Sequence, residues 1–304
     1  MAGGPVAWLS HRPYTLLLLT MLAWAGNSIA SRLAVGEVSP MVLTSVRWGL
    51  VLIALFGLQW RRIAAGWPAV WARWPTVLAM GASGYTFFNA LYFTAAHHTT
   101  AVNLSIIQGA MPALVLLGGL AVYRTPIRKG QVAGMTITLA GIAVVACKGH
   151  LETLLTLGFN VGDIMILGAC VLYSGFTVAL RGLQGIPGLA LFAGMAVAAF
   201  LTSLPLMGLE AALHQEQWPT LKGWLLLSYI GLIPTALAQL SFMRAVALIG
   251  PGRAGLFVNL VPIFGAILAV IILHEQFGLY HAAALALVLA GILLAERSAR
   301  KPSV

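Results

Sequence analysis

Long apolar stretches follow one another along the whole of this chain, separated only by short segments that contain Pro, Gly or charged residues. A bilayer core about 30 Å thick is crossed by roughly 17 to 25 apolar helical residues. Dividing the sequence into apolar segments of that length predicts spans at residues 14–33, 40–60, 75–95, 100–123, 130–147, 161–181, 187–209, 222–244, 252–273 and 279–295. The pattern therefore predicts an all-α polytopic membrane protein with ten transmembrane helices and short tails at 1–13 and 297–304.

Composition supports this interpretation, because 60% of the 304 residues are hydrophobic and only 8% are charged, whereas ordinary soluble domains are about 25% charged. The net charge of +10 would suggest nucleic acid as a partner of a soluble protein. Here the basic residues lie singly or in short runs between apolar segments, so we expect the lipid bilayer as partner and no nucleic acid. Cys147 and Cys170 lie in or beside apolar segments, and we expect neither a metal nor a cofactor.

The distribution of charge orients the predicted spans. Thirteen of the 17 basic residues fall on the side of the N-terminus, three fall on the other side, and Arg47 lies inside the second span. Six of the seven acids, Glu152 among them, fall on the side that is poor in Lys and Arg. Because Lys and Arg accumulate in cytoplasmic loops, both termini are predicted to be cytoplasmic.

The two halves of the chain repeat each other. At an offset of 150, Pro112 aligns with Pro262, and the Leu-Ala-Gly-Ile run 139–142 aligns with 289–292. At an offset of 149, residues 24–32 align with 173–181. This divides the chain into units 14–150 and 151–296 of five helices each. A unit with an odd number of spans must be inverted in its second copy, so the sequence predicts inverted topology. The first apolar run also resembles a cleaved signal peptide, but the repeat requires it as a span.

Two sequence stretches carry a family resemblance. Residues 258–275, followed by the Leu-Ala-Gly-Ile run, resemble the second-repeat signature of the drug/metabolite transporter superfamily with EamA-type repeats. Trp24-Ala-Gly-Asn-Ser resembles the tryptophan-glycine opening of that family, with Ala25 inserted. The resemblance covers essentially the whole chain and implies a bacterial inner-membrane exporter, with aromatic amino acids as the substrates of its nearest members. One departure is that the first repeat carries Arg124-Thr125 where the second carries His274-Glu275, so any role of that glutamate is not duplicated.

Polar side chains within the predicted spans are candidates for lining a substrate cavity, because polar groups facing lipid are costly. In the first half they are Trp24, Asn27, Ser28, Tyr85, Asn89, Tyr92, Asn103 and Gln108, and in the second half Tyr173, Ser174, Thr177, Tyr229, Gln239 and Asn259. For each, a hydrogen bond between helices is the alternative interpretation. Pro112 and Pro262 interrupt helical hydrogen bonding at matched positions, which predicts gating elements or, alternatively, kinks that serve packing only.

The chemistry of these candidates favours a neutral or zwitterionic amphipathic solute. No Asp or Glu lies near the centre of a predicted span, as a cationic drug would need, and Arg47 alone is a poor match for a phosphate. Arg47 lies roughly 10 Å from the end of its span, at 1.5 Å rise per residue. It is interpreted either as snorkelling to the outer interface or as the partner of a substrate carboxylate. His97 and His98 are predicted to lie in a solvated turn.

No set of catalytic residues is recognisable within the spans, so we do not expect an enzyme. A secondary transporter working by alternating access is favoured over a channel by the inverted repeat, and a channel-like facilitator or an exporter of other metabolites or drugs stays open. We expect a small-molecule substrate and a functional monomer, with a dimer as the alternative.

Overall fold

The computed structural model describes residues 11–149 and 160–300, and within those two ranges every regular element is helical. The first half contains α1 (Pro13–Leu33), α2 (Pro40–Trp71), α3 (Trp74–Gly81, a π-helical turn Ala82–Phe87, and Phe88–Ala95), α4 (Ala101–Ile107, a 3-10 turn Gln108–Ala110, and Met111–Tyr123) and α5 (Lys129–Ala146). The second half contains α6 (Val161–Ala179), α7 (Gly188–Ala212), α8 (Leu221–Ile230, a π-helical turn Gly231–Leu237, and Ala238–Ile249), α9 (Pro251–Val258 and Leu260–Leu273) and α10 (Leu279–Arg300). The predicted all-α class is confirmed.

Nine helices in this part of the chain are long and apolar enough to cross a membrane. Helix α3, which contains polar residues such as Ser83 and Asn89, is not among them. The tenth span therefore stays a prediction. The predicted boundary at 150/151, both outermost tail segments, Glu152 and Lys301 lie outside the described residues.

The helix that carries the second predicted span continues beyond residue 60, where that span was predicted to end, to Trp71. Its backbone departs from helical geometry at Gln59, where φ is −129° and ψ is 16°, and the helix then resumes. Arg61 and Arg62 limit the part of a helix that lipid can surround, but they do not end the helix itself. Charged residues thus mark the limits of a membrane segment and not those of its secondary structure.

Equivalent helices of the two halves pack against each other. The most extensive packing is between α5 and α10, and α2 pairs in the same way with α7, as does α4 with α9. The pairs are antiparallel: Gly134 of α5 lies against Gly291 of α10, whereas Gly141, further along α5, lies against the earlier residue Ala284. Helix α1 packs on α8 and α9, and α6 packs on α3 and α4. The packing scheme is thus the same when the two halves are exchanged.

Large apolar side chains cover the outside of the bundle. Ile53 is 72% exposed, Leu221 82% and Leu279 91%. The largest buried cluster lies where α1, α3, α4 and α6 meet, and it includes Tyr92 and Phe93. An apolar exterior around a packed interior is the arrangement that a bilayer requires.

Candidate functional site

An arginine of the first half lies among aromatic rings. Arg47 of α2 is 4% exposed, and its guanidinium carbon lies 4.7 Å from the centroid of the Trp48 ring and 5.2 Å from that of Phe93. Trp48 in turn stacks on Tyr85, with ring centroids 4.8 Å apart and an interplanar angle of 9°. The faces of the rings attract the cation, so this cage holds a positive charge in a largely apolar surrounding.

The charge on Arg47 has no carboxylate partner within the described ranges, where the ion pair between Lys222 and Glu37 is the only one found. The Nε of Arg47 and the indole Nε1 of Trp48 are also buried without a hydrogen-bond partner there. Snorkelling would require the side chain to reach the surface, so its burial favours the alternative interpretation, a partner for a substrate carboxylate, which stays a prediction. Two unpaired donors on neighbouring residues suit an anionic group.

A group of polar side chains lies next to this cage, around the hydroxyl of Tyr92. That hydroxyl is 2.8 Å from Oγ of Ser28, and the side chains of Asn27 and Gln108 approach it as well. The Oδ1 of Asn27 is buried and accepts no hydrogen bond from a described residue. The fold thus brings four of the sequence candidates together and leaves one acceptor open.

Replacing Tyr92 with Phe removes the hydroxyl that Ser28 meets and leaves a buried hydroxyl unpaired. We expect the free energy of unfolding to fall by about 1 kcal/mol, the usual net value of such a bond. Thermal unfolding of the purified protein in detergent measures this, with Tyr14→Phe as control because Tyr14 is 53% exposed. Equal stability of the two variants would mean that the Tyr92 hydroxyl contributes nothing to the fold.

Aromatic contacts extend from the cage to the second half. Tyr85 and Tyr173 both pack on Phe176, with centroid separations of 5.2 and 5.3 Å. Tyr173 also lies 5.1 Å from Phe88. Two sequence candidates from different halves are therefore connected through one phenylalanine of α6, and the aromatic surface spans both repeats.

The π-helical turns of α3 and α8 were not predicted. They begin at Ala82 and Gly231, which are 149 residues apart, the offset of the repeat itself. Side chains bond the carbonyls of these turns: Asn89 donates to Tyr85 O, and the indole of Trp24 donates to Pro234 O at 2.9 Å. Matched π turns in equivalent helices are typical of functional sites, and the midspan Pro234 was the only sequence signal for them.

Both helices that carry the matched prolines are interrupted beside them. Helix α4 contains the 3-10 turn Gln108–Ala110 just before Pro112, and α9 breaks at Asn259 just before Pro262. Ser174 of α6 donates to the carbonyl of Met111 at 3.3 Å. The carbonyl that Pro112 deprives of its helical donor is that of Gln108, which accepts instead from the N–H of Met111 within the 3-10 turn. The interruption of α4 is thus also contacted by a side chain from the other half.

Other candidates lie away from this centre. Asn103 donates to both carboxylate oxygens of Asp163, at 3.1 and 3.2 Å, and Asn259 donates to Glu296 at 3.1 Å. The remaining candidates are Thr177, which donates to a carbonyl of its own helix, Tyr229, whose hydroxyl lies against Gly26, and the half-buried Gln239. The structure therefore divides the candidates between a central group and side chains that bind or lie elsewhere in the bundle.

Sequence reasoning missed the contacts that carboxylates make with helix N-termini across the two halves. Glu275, which follows α9, accepts hydrogen bonds from the backbone N–H groups of Ala101 and Val102 at the start of α4, at 2.8 and 3.0 Å. The first N–H groups of a helix have no acceptor within it, and negative charge is favoured there. Glu275 therefore connects α9 to α4 at this end of the bundle.

Glu210 makes a similar contact between α7 and α2. It is 8% exposed and accepts from the Ser39 hydroxyl at 2.6 Å and from the N–H groups of Met41 and Val42, both at 3.2 Å. No sequence motif marks this role, because the donors lie in the other half of the chain.

A third polar contact joins the α1–α2 and α7–α8 connections. Glu37 accepts hydrogen bonds from the Thr220 hydroxyl and from Lys222, the latter at 3.0 Å. These two bonds hold the pKa of the Glu37 carboxyl below its usual value. His97 and His98 are exposed in the nearby α3–α4 turn, where a solvated turn was expected. Carboxylates of both halves thus close this end of the bundle.

Comparison with known proteins gives relatives of the same length. The chain is 27% identical over 290 residues to an uncharacterized transporter of Archaeoglobus fulgidus, covering 94% of this chain and 98% of the relative. It is 24% identical over 307 residues to the uncharacterized transporter YyaM of Bacillus subtilis, covering 97% of each. A probable terminal-alkyne amino-acid exporter of Streptantibioticus cattleyicolor is 25% identical over 291 residues, covering 92% of each.

The fold is that of a solved crystal structure, with a TM-score of 0.63 at 22% sequence identity, covering 95% of this chain and 99% of the other. Residues 11–147 and 160–296 each match the EamA-like transporter family. The two matches cover both halves and most of the chain, so this protein is a membrane transporter that belongs to the EamA-like transporter family.

Proposed function

We propose that this protein is a secondary transporter that exports small amphipathic solutes, with aromatic and other bulky neutral amino acids as its main substrates. The observation that carries this proposal is the buried Arg47 guanidinium, which lies on aromatic rings and has no carboxylate partner among the described residues. A buried charge without a partner is costly. A substrate carboxylate at this place would offset that cost.

The groups around Arg47 fit the remainder of an aromatic α-amino acid. The indole N–H of Trp48 is a second donor for a carboxylate, and Oδ1 of Asn27 is an open acceptor for an ammonium group. Tyr85 and Tyr173 contribute aromatic surface that suits an aromatic side chain. Donors, acceptor and aromatic surface together favour a zwitterion with an apolar side chain over a cation or a phosphate.

Similarity gives independent support to this substrate class. The Streptantibioticus relative is named a probable exporter of a terminal-alkyne amino acid. From the sequence motifs we further propose a resemblance to the bacterial aromatic amino-acid exporter called YddG. Export from the cytoplasm across a bacterial inner membrane, by a monomer, is therefore the activity that we assign to this chain.

The mechanism that we infer is alternating access between two inverted halves of five helices. Its support is the antiparallel packing of α2 with α7, of α4 with α9 and of α5 with α10, since an inverted repeat relates each helix to a partner of opposite direction. In this arrangement α3 is the tenth span, in keeping with its repeat partner α8. The excess of Lys and Arg on one side then assigns both termini to the cytoplasm.

The matched interruptions beside Pro112 and Pro262 suit bending elements of such a cycle. Replacing either proline with Ala restores a backbone N–H and allows a continuous helix. We expect each variant to lower the rate of counterflow several-fold without lowering thermal stability. Pro68→Ala, in the part of α2 beyond its kink, is the matched control, and wild-type rates in both test variants would assign these prolines to packing alone.

The substrate class is tested by competition in proteoliposomes. Labelled L-phenylalanine is the tracer, and the competitors are L-tryptophan, phenylalaninamide, phenethylamine and a phenyl-substituted carboxylic acid that lacks the amine. We expect L-tryptophan to compete best and the two compounds without a carboxylate to compete at least tenfold less well, because a lost charge-assisted contact costs about 1.5–3 kcal/mol. Equal competition by the amide and the acid would overturn the assignment. Tracer flux that no amino acid reduces would favour other metabolites or drugs as substrates.

A further inference from the structure

The contact between Glu275 and α4 lies on a helix that also reaches the candidate substrate site. Both oxygens of Glu275 accept from the first N–H groups of α4. The same helical segment ends at the 3-10 turn that carries Gln108, whose side chain approaches the hydroxyl of Tyr92. A displacement of the start of α4 would therefore also move Gln108, one of the polar side chains around the Tyr92 hydroxyl beside Arg47.

The backbone at the equivalent place in the first repeat is the same, but the chemistry is not. His274 and Arg124, which are 150 residues apart, both end a helix in the left-handed conformation, with φ of 54° and 53°. The next residue is Glu275 in the second repeat and Thr125 in the first. The chain thus turns in the same way after α4 and after α9, but only the turn after α9 presents a carboxylate.

The donors differ as well. Ala101 and Val102 of α4 correspond, at the offset of 150, to Pro251 and Gly252 of α9. Proline has no backbone N–H. One end of the bundle therefore has a carboxylate facing two N–H groups, whereas the residues at the equivalent sequence positions of the opposite end supply no carboxylate and only one of the two N–H donors.

We propose that Glu275 is the gating residue that holds the α4–α9 end closed, and that its absence from the first repeat biases the empty transporter towards opening at the opposite end. Given the orientation that we propose above, the closed end faces outwards and the idle transporter is open to the cytoplasm. An exporter in this state is ready to bind its substrate from the cell. The inference rests on alternating access as the proposed mechanism.

A cysteine thiol placed between α4 and α9 reports the equilibrium between the closed and the open state of this end of the bundle. Ser105 is fully buried, and its side chain lies against Gly265 of α9. Ser105→Cys, made together with Cys147→Ala and Cys170→Ala, gives a protein in which a water-soluble maleimide reacts only when the two helices separate. Labelling is measured in nanodiscs, where both ends of the protein are accessible to the reagent.

In this background we expect Glu275→Ala to raise the rate of labelling about tenfold or more, since two charge-assisted hydrogen bonds are lost. Glu275→Gln keeps one acceptor oxygen without the charge, so it should be intermediate, and it also serves if the alanine variant folds poorly. Glu216→Ala removes an exposed carboxylate from the α7–α8 connection and should leave the rate unchanged.

The proposed difference between the two ends of the bundle is tested by adding the missing groups to the opposite end. Thr125→Glu together with Pro251→Ala supplies the missing carboxylate and the missing N–H at the opposite end. We expect this double variant to label faster than wild type, because closure of that end favours opening of the other.

Wild-type labelling rates in Glu275→Ala and Glu275→Gln would contradict the proposal that Glu275 holds this end closed. A wild-type rate in the double variant would contradict the proposal that the missing carboxylate and N–H of the first repeat bias the transporter. Counterflow of L-phenylalanine is measured on the same samples. Its absence from wild type would count against the proposed function, whereas the labelling rates decide the role of Glu275 independently.

Discussion

Replacing Arg47 with Gln is expected to reduce transport of L-phenylalanine by about 100-fold. Removing one member of a buried charge pair costs about 2–5 kcal/mol, and the substrate carboxylate is here the proposed second member. The guanidinium lies on two aromatic rings and has no carboxylate partner among the described residues. Initial rates of counterflow over a range of substrate concentrations measure the loss as a change in kcat/KM.

The same substitution should stabilise the empty protein. A buried cation without a partner is costly, and glutamine, although shorter than arginine, removes the charge and keeps a polar end, so we expect the thermal midpoint of Arg47→Gln to rise. A purely structural role for Arg47 would have the opposite effect on stability. Arg62→Gln, at an exposed position of the same helix, is the charge-matched control and should change neither quantity. A wild-type rate of transport in Arg47→Gln would mean that Arg47 does not bind the substrate carboxylate.

The second large effect is expected at the interface between α5 and α10. A Cβ atom added at Gly134 would lie 2.4 Å from the carbonyl oxygen of Gly291 and 2.7 Å from the nitrogen of Ala295. These are backbone atoms, which cannot move aside without separating the two helices. Close approach of helices through small residues is a main source of packing energy in membranes. We therefore expect Gly134→Ala to destabilise the protein by about 3 kcal/mol or more.

Thermal unfolding followed by size-exclusion chromatography in detergent measures this loss. Gly57→Ala is the matched control, because a Cβ at Gly57 of α2 meets no atom within 4 Å. We expect this variant to match or slightly exceed wild type, since alanine favours the helix by about 1 kcal/mol over glycine. Similar unfolding temperatures for the two variants would mean that α5 and α10 are not held as closely as their contacts indicate.

Apolar length predicts most helices of this protein because the length of a span depends only on bilayer thickness and the helical rise. The repeat likewise predicts the paired interruptions, since proline acts on its own helix wherever that helix lies. The continuation of α2 to Trp71 was missed because Arg61 and Arg62 oppose lipid and not helix formation. The π turns were missed because they add one residue to a helical turn without altering the apolar pattern.

The candidate site was less accessible to sequence reasoning, since the surroundings of a side chain depend on other helices. Asn103 and Asn259 are both bonded inside the protein, as polar residues in a span should be, but to Asp163 and Glu296 near helix ends. Sequence reasoning left Arg47 with two interpretations, because Phe93 lies on a different helix. Contacts between different helices determine these surroundings, and no spacing along the chain encodes them.

Counterflow in proteoliposomes is the measurement that tests a carrier for aromatic amino acids most directly. Vesicles loaded with unlabelled L-phenylalanine are diluted into a trace of the labelled compound, in parallel with vesicles that contain Arg47→Gln or no protein. We expect the label to accumulate transiently above its equilibrium level, at a saturable rate, with wild type only. A monotonic approach to equilibrium at a rate linear in concentration would contradict alternating access and indicate a channel.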